Sequence, residues 1–149
     1  MIDQPIIVYA MPRSQSQWIA ELLDIEHEGL SNADNKVDYI TNIGKGTVDG
    51  SLIFFREFIK KKYPNAIEFG VIRSISECVE SFKTTDIYEG QSDDMLCNVY
   101  GAMEFMIMNA NIPILQYPVS VEDIENLINK QLDKSYNNIR IDNYKRRVA

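Results

Sequence analysis

The sequence predicts an α/β fold: a three-layer sandwich on a mainly parallel sheet. Two observations carry that expectation. Pro5–Ala10 (PIIVYA) is a fully apolar run of strand length, and Ala66–Ile72 (AIEFGVI) is nearly so, as strands covered on both faces must be. Between and after these runs apolar residues recur at helical spacing, so strand and helix alternate along the chain. Length adds a bound. The 149 residues make one domain, 1–149. Burying about two-thirds of the unfolded surface then supplies a core without disulfide or metal staples.

Each element has a local reason. The first strand, Pro5–Ala10, runs into a helix from about Ser14 whose Trp18, Ile19, Leu22 and Leu23 share a face. Asp24–Leu30 (DIEHEGL) is ambiguous between strand and loop. Lys36–Ile43 reads as a strand closed by a glycine-rich turn, Gly44–Gly50. Leu52, Phe55 and Ile59 mark a helix that ends at Lys60–Lys62 and Pro64, with cations where the macrodipole favours them. Ala66–Ile72 is the next strand, and Ile75, Cys78, Val79 and Phe82 give a short helix. A long helix near Asp93–Ala110 repeats Leu96, Val99, Tyr100, Met103, Met106 and Ile107, a methionine-rich stripe of the kind cores use. Ile112–Tyr117 is a strand, and Ser120-Val-Glu-Asp123 caps a last helix carrying Val121, Ile124, Ile128 and Leu132. From Tyr136 the chain is polar and ends in Lys145-Arg146-Arg147 before Val148 and Ala149.

Composition narrows the function. The chain is 45% hydrophobic, 25% charged and 10% aromatic, the values of a globular protein. Fifteen basic against 22 acidic residues give a net charge of −7. A nonspecific nucleic-acid binder needs a basic face, so no nucleic-acid partner is expected. Any anionic ligand must instead be held by a local positive site. Cys78 and Cys97 lie in helical stretches with no CxxC or Cys/His pairing, so they are expected to be buried reduced thiols of a cytoplasmic protein. Ile6–Ala10 is too short for a signal peptide or a membrane span, so no membrane association is expected.

Ligands of open parallel sheets bind beyond the carboxyl ends of the strands. The first such place is Ala10-Met-Pro-Arg-Ser-Gln-Ser-Gln-Trp18. A turn rich in hydroxyl and amide side chains that opens a helix presents unpaired N–H groups and a positive dipole end. Arg13 adds a planar donor fork suited to phosphate or sulfate. The segment also allows a plainer account, with Ser14 as an N-cap, Gln17 completing a capping box and Arg13 solvated. A triphosphatase loop, GxxxxGK[ST], does not fit: Ala10 and Gln15 stand at the glycine places and Ser16 at the lysine place. The strands ending at Ile72 and Tyr117 are followed by Arg73 and Pro118, with no acid there for Mg²⁺.

The run Met11-Pro12-Arg13-Ser14-Gln15-Ser16-Gln17-Trp18-Ile19 resembles the 5′-phosphosulfate loop of the sulfotransferases, Pro-Lys/Arg-Ser-Gly-Thr-Thr-Trp-Leu, with Gln15 in the glycine place and Gln17 in a threonine place. That family also grips the 3′-phosphate of its donor, 3′-phosphoadenosine 5′-phosphosulfate (PAPS), with an arginine ending a strand and a serine eight residues on. Here Arg73 and Ser81 stand at that interval, with Ser74-Ile75 in place of the usual Asn/Asp-Pro. A third element, His27-Glu28, is similar to a pair found after the first helix in small phage and bacterial sulfotransferase-like proteins.

The resemblance implies a P-loop NTPase-like (sulfotransferase) topology, PAPS as donor, no metal, and a small-molecule or saccharide acceptor. Arg13, Ser14, Gln15, Ser16, Gln17 and Trp18 would hold the 5′ end, Arg73 and Ser81 the 3′-phosphate, and Arg13, His27 and Glu28 would serve catalysis. Geometry sets a condition on the last pair. A helix from Ser14 to Leu23 descends about 15 Å from the site. Asp24–Glu28 must return as extended strand, at about 3.3 Å per residue, to bring Glu28 back.

Asp49 and Ser51 open the second helix, as caps or facing an acceptor, and the Lys145–Arg147 tail either closes over the 3′-phosphate or stays solvated. The other readings are a non-catalytic module binding a phosphonucleotide or another anion, and a nucleotide kinase-like P-loop enzyme. Oligomeric state stays open.

Overall fold

The computed structural model describes residues 4–85 and 92–132. Its core is a five-stranded, all-parallel sheet in the order β2-β3-β1-β4-β5. The strands are β1 (Ile6–Ala10), β2 (Glu26–His27), β3 (Gly46–Val48), β4 (Ile67–Ile72) and β5 (Ile114–Gln116). The helices are α1 (Ser16–Leu23), α2 (Gly29–Asn32), α3 (Lys36–Thr41), α4 (Arg56–Lys62), α5 (Ile75–Phe82), α6 (Asp93–Met108) and α7 (Val121–Gln131), with a 3₁₀ helix over Gly50–Phe55.

Helices cover both faces, and β1 shows why its run is wholly apolar. Ile6, Val8 and Ala10 join a core with α1 and α7, while Ile7, Tyr9 and Met11 join a second core with the remaining helices. Alternate residues of a strand point to opposite faces, so a central strand must be apolar throughout. β1 pairs with β3 on one side and β4 on the other, with Ala10 level with Val71. The chain leaves β1 through α1 on one face and leaves β4 through α5 on the other. That divergence opens a crevice at the carboxyl ends of these two neighbours.

Several expectations need correction. Lys36–Ile43 is not a strand but α3: Asn35 caps it by accepting from the Asp38 N–H, and only the 3–4 spaced Tyr39, Ile40 and Ile43 pack inward. The strand lies instead in the presumed turn, as β3. At Gly46, φ 147°, a Cβ would sit 2.1 Å from the Ile6 carbonyl oxygen, so only glycine lets β3 approach β1 this closely. With β3 in place, a strand does end in an acid, Asp49. The second helix is part 3₁₀, part α4.

Cys78 is buried, but Cys97 is exposed. The methionine-rich stripe is core only at Leu96, Tyr100, Met103 and Ile107; Val99 and Met106 face outward. Lys145–Arg147 lies outside the described residues. Among the described residues no helix is long and apolar enough to cross a membrane.

Candidate functional site

Backbone strain shapes the first loop. Between β1 and α1, Arg13 (φ 62°) and Gln15 (φ 67°) are both left-handed, a conformation costing a non-glycine residue about 1–2 kcal/mol. Three contacts hold the loop there. Gln15 reaches across to the segment after β5, where its Oε1 accepts from the Val119 N–H at 2.7 Å and its Nε2 donates to the Val119 carbonyl at 3.3 Å. Ser14, fully buried, donates its hydroxyl to the Met11 carbonyl. Arg73 donates from Nη1 to the Arg13 carbonyl.

Gln15 thus occupies a glycine place with its side chain turned aside, and it is the residue before α1. No side chain caps that helix, so the Ser14–Gln17 capping box does not form. Gln17 bonds Glu21 at 3.4 Å instead. The first-turn N–H groups of α1 keep no side-chain cap, and the positive end of its dipole stands at the loop.

The second junction follows β4. Ser74 caps α5 by accepting from the Glu77 N–H at 3.3 Å, and Arg73 just before it is gripped from three sides. Besides the Arg13 carbonyl, its Nε donates to Glu77 Oε2 at 3.3 Å and its guanidinium lies 4.1 Å over the Tyr117 ring. Two turns along α5, Ser81 Oγ accepts from Arg13 Nε at 3.1 Å. Residues 13 and 81 come from different junctions, yet they touch. The two strand-to-helix junctions meet in one place.

The third junction meets the reach condition. α1 ends at Asp24 in a left-handed turn, and β2 climbs back parallel to β3, His27 level with Val48. The Glu28 N–H extends that ladder onto the Val48 carbonyl at 2.9 Å. His27 Nε2 consequently lies 2.9 Å from Ser16 Oγ and 3.6 Å from Glu28 Oε1.

These residues line a cleft of about 410 Å³, within the range of small-molecule sites. Arg13, Gln15, Ser16, Gln17, Trp18, His27, Glu28, Arg73 and Ser81 all contribute to its wall, whereas Ser14 lies beneath the loop. Trp18 also packs against the core under α1 and α7. Sequence reasoning missed Phe82, Thr85 and above all Tyr117. Tyr117 follows β5 as Arg73 follows β4, so the rule that ligands bind beyond strand ends points to it as well.

Asp49 does not line the cleft. Its carboxylate, 3% exposed, accepts from the N–H and hydroxyl of Ser31 at 3.2 Å each, and from the N–H and hydroxyl of Ser51 at 2.9 and 2.6 Å. It is the cap that opens the 3₁₀ helix. Behind the cleft, burial pushes the Tyr100 phenol up to about 12, with Cys78 and Glu28 adding to the rise and Arg13 opposing it. Burial likewise pushes the Cys78 thiol up to about 11, which keeps it protonated and unsuited to nucleophilic work.

The arrangement can therefore hold an anionic ligand by two guanidinium groups, a helix N-terminus and hydroxyls, with an imidazole and a carboxylate alongside. That is local positive charge on a chain of net −7. No protein-family model matches this chain, and no curated protein matches it.

Proposed function

We propose that the protein moves a sulfuryl group from PAPS to a hydroxyl or amine of a small-molecule or saccharide acceptor, as a cytoplasmic enzyme of P-loop NTPase-like, sulfotransferase topology. The contact between Arg13 and Ser81 carries the reading, because it joins the two motifs in one cleft. The central β1, the all-parallel sheet and the helices on both faces support the topology.

The donor set fits an adenosine bearing phosphates at both ends. Bound there, PAPS supplies a sulfuryl group already attached to a good phosphate leaving group. The uncapped first turn of α1, with Ser16 and Gln17, takes the 5′ end. Arg13 stabilises the charge that develops on the departing phosphate oxygen, an interaction that grows towards the transition state. Arg73 and Ser81 hold the 3′-phosphate and so fix the donor in line with the acceptor. Trp18 and Tyr117 bound the space between. His27 or Glu28 takes the acceptor proton, a contribution of about 10²- to 10⁴-fold.

The test separates binding from chemistry. Adenosine 3′,5′-bisphosphate, the spent donor, raises the melting temperature, whereas Mg²⁺–ATP does not. Replacing Glu28 by Gln and His27 by Ala, one at a time, lowers turnover about 10²-fold or more for whichever is the base, with donor affinity little changed. Loss of neither rate removes both from the role.

A second reading is a module that binds a phosphonucleotide without turning it over. It is favoured by the engagement of His27 Nε2 with the loop hydroxyl of Ser16. Tight bisphosphate binding with no transfer to any class of acceptor identifies it. A kinase-like enzyme would show the reverse preference, for Mg²⁺–ATP.

A further inference from the structure

The arginine assigned to the 3′-phosphate already has an anion on it. Arg73 Nε pairs with Glu77, one turn into α5, and the two partners differ sharply in environment: the Arg73 side chain is 18% exposed, Glu77 60%. Arg73 does not depend on Glu77 for its position. Its Nη1 is tied to the Arg13 carbonyl and its plane rests on Tyr117.

We infer that Glu77 is a resident counter-ion, which neutralises Arg73 in the free protein and is displaced into solvent by the 3′-phosphate of the nucleotide. The inference rests on the proposed assignment of Arg73 to that phosphate. Its physical basis is competition. One guanidinium is shared between two anions, and a phosphate, with more charge and more acceptor oxygens, outcompetes a carboxylate held by one long hydrogen bond. The displaced carboxylate stays on the neighbouring helical turn, within Coulomb reach of the bound phosphate. It therefore weakens the grip on 3′-phosphorylated nucleotides and speeds departure of the spent donor.

The sign of a substitution tests this. In Glu77→Gln, calorimetry on the full chain reads about three- to tenfold tighter binding of adenosine 3′,5′-bisphosphate, the effect of removing one partly screened like charge. Stopped-flow release slows to match. Adenosine 5′-monophosphate, which brings nothing to Arg73, binds with unchanged affinity. Glu77→Ala moves bisphosphate affinity in the same direction, which separates loss of charge from a hydrogen bond kept by the amide. Both variants melt within a few degrees of the wild type, because Glu77 is exposed. Weaker or unchanged bisphosphate binding in both variants overturns the inference while leaving the proposed function standing. A wild type that ignores the bisphosphate overturns both.

Discussion

The protein uses the same ion pair twice, under α4 and at the mouth of the cleft, with opposite consequences. Beneath α4 the Arg56 fork grips Glu68 through two bonds, Nε to Oε2 at 3.1 Å and Nη2 to Oε1 at 3.3 Å, and both side chains are 15% exposed. The Tyr9 hydroxyl donates to the same carboxylate. Even the Glu68 backbone is saturated. β5 pairs only with Gly70–Ile72, and the Gln131 amide stands in for the missing strand, bonding the Glu68 N–H and carbonyl at 3.1 and 3.0 Å. At the cleft, Arg73 has a single long bond to a carboxylate that faces water. A closed pair fixes structure; an open one leaves its cation able to exchange partners.

The sharpest way to break this comparison is Arg56→Ala. It leaves the largely buried Glu68 carboxylate without its counter-charge and with the Tyr9 hydroxyl still donating to it, and stability should fall by about 3 kcal/mol in urea unfolding. A loss under 1 kcal/mol would mean that water already reaches the pair. The same region sets an alkaline limit. Burial first, and Glu68 next, push the Tyr9 phenol far above its ordinary value of 10.0, and burial pushes Tyr39 and Tyr100 up to about 12. Raised acids stay neutral in the folded state while the unfolded chain ionises. Their contribution is thus complete below about pH 10 and is lost as pH climbs beyond it. Urea midpoints should fall above that pH, and less steeply in Tyr9→Phe.

At the cleft the effect should appear more in binding than in stability. Arg73→Ala is expected to weaken adenosine 3′,5′-bisphosphate about thirtyfold, near 2 kcal/mol for a charge-assisted contact, while stability falls by only about 1 kcal/mol as the bond to the Arg13 carbonyl is lost and the variant still folds. An unfolded variant would place Arg73 with Arg56 as a structural residue. Smaller still is Gln15→Ala, which removes both bonds to Val119 and should cost about 1 kcal/mol of stability. Because those bonds hold a left-handed loop, donor affinity should drop with it. Gln15→Gly, free of the backbone penalty, should recover part of the stability but not the tether.

Much of this was legible from local pattern. β1 and β4 announce themselves as apolar runs, α5 and α7 by their spacing, and the Ser120 capping box forms as read. Arg13 followed from a strand-to-helix junction, and the Arg73–Ser81 interval from the resemblance to sulfotransferases; the structure brings all three to one cleft. β3 was illegible because its three residues carry a glycine, whose meaning lies in its closeness to Ile6. Lys36–Ile43, rich in residues that favour strands, forms a helix because its Asn35 cap and inward Ile40 prevail over propensity. Misplacing that strand hid Asp49 at its end, and Val99 and Met106 show that helical spacing alone does not tell a core face from an outward one.

By itself the sequence determined the alternation of strand and helix and put an arginine at two of the junctions, since period, caps and turns are properties of neighbouring residues. Only the tertiary structure decided that β1 lies beside β4. That adjacency is a parallel backbone ladder from Ile6 opposite Ile67 to Ala10 opposite Val71, a pairing between remote segments that no local pattern encodes. It brings Arg73 onto the Arg13 carbonyl and Arg13 onto Ser81, and so gathers two distant segments of chain around one cleft.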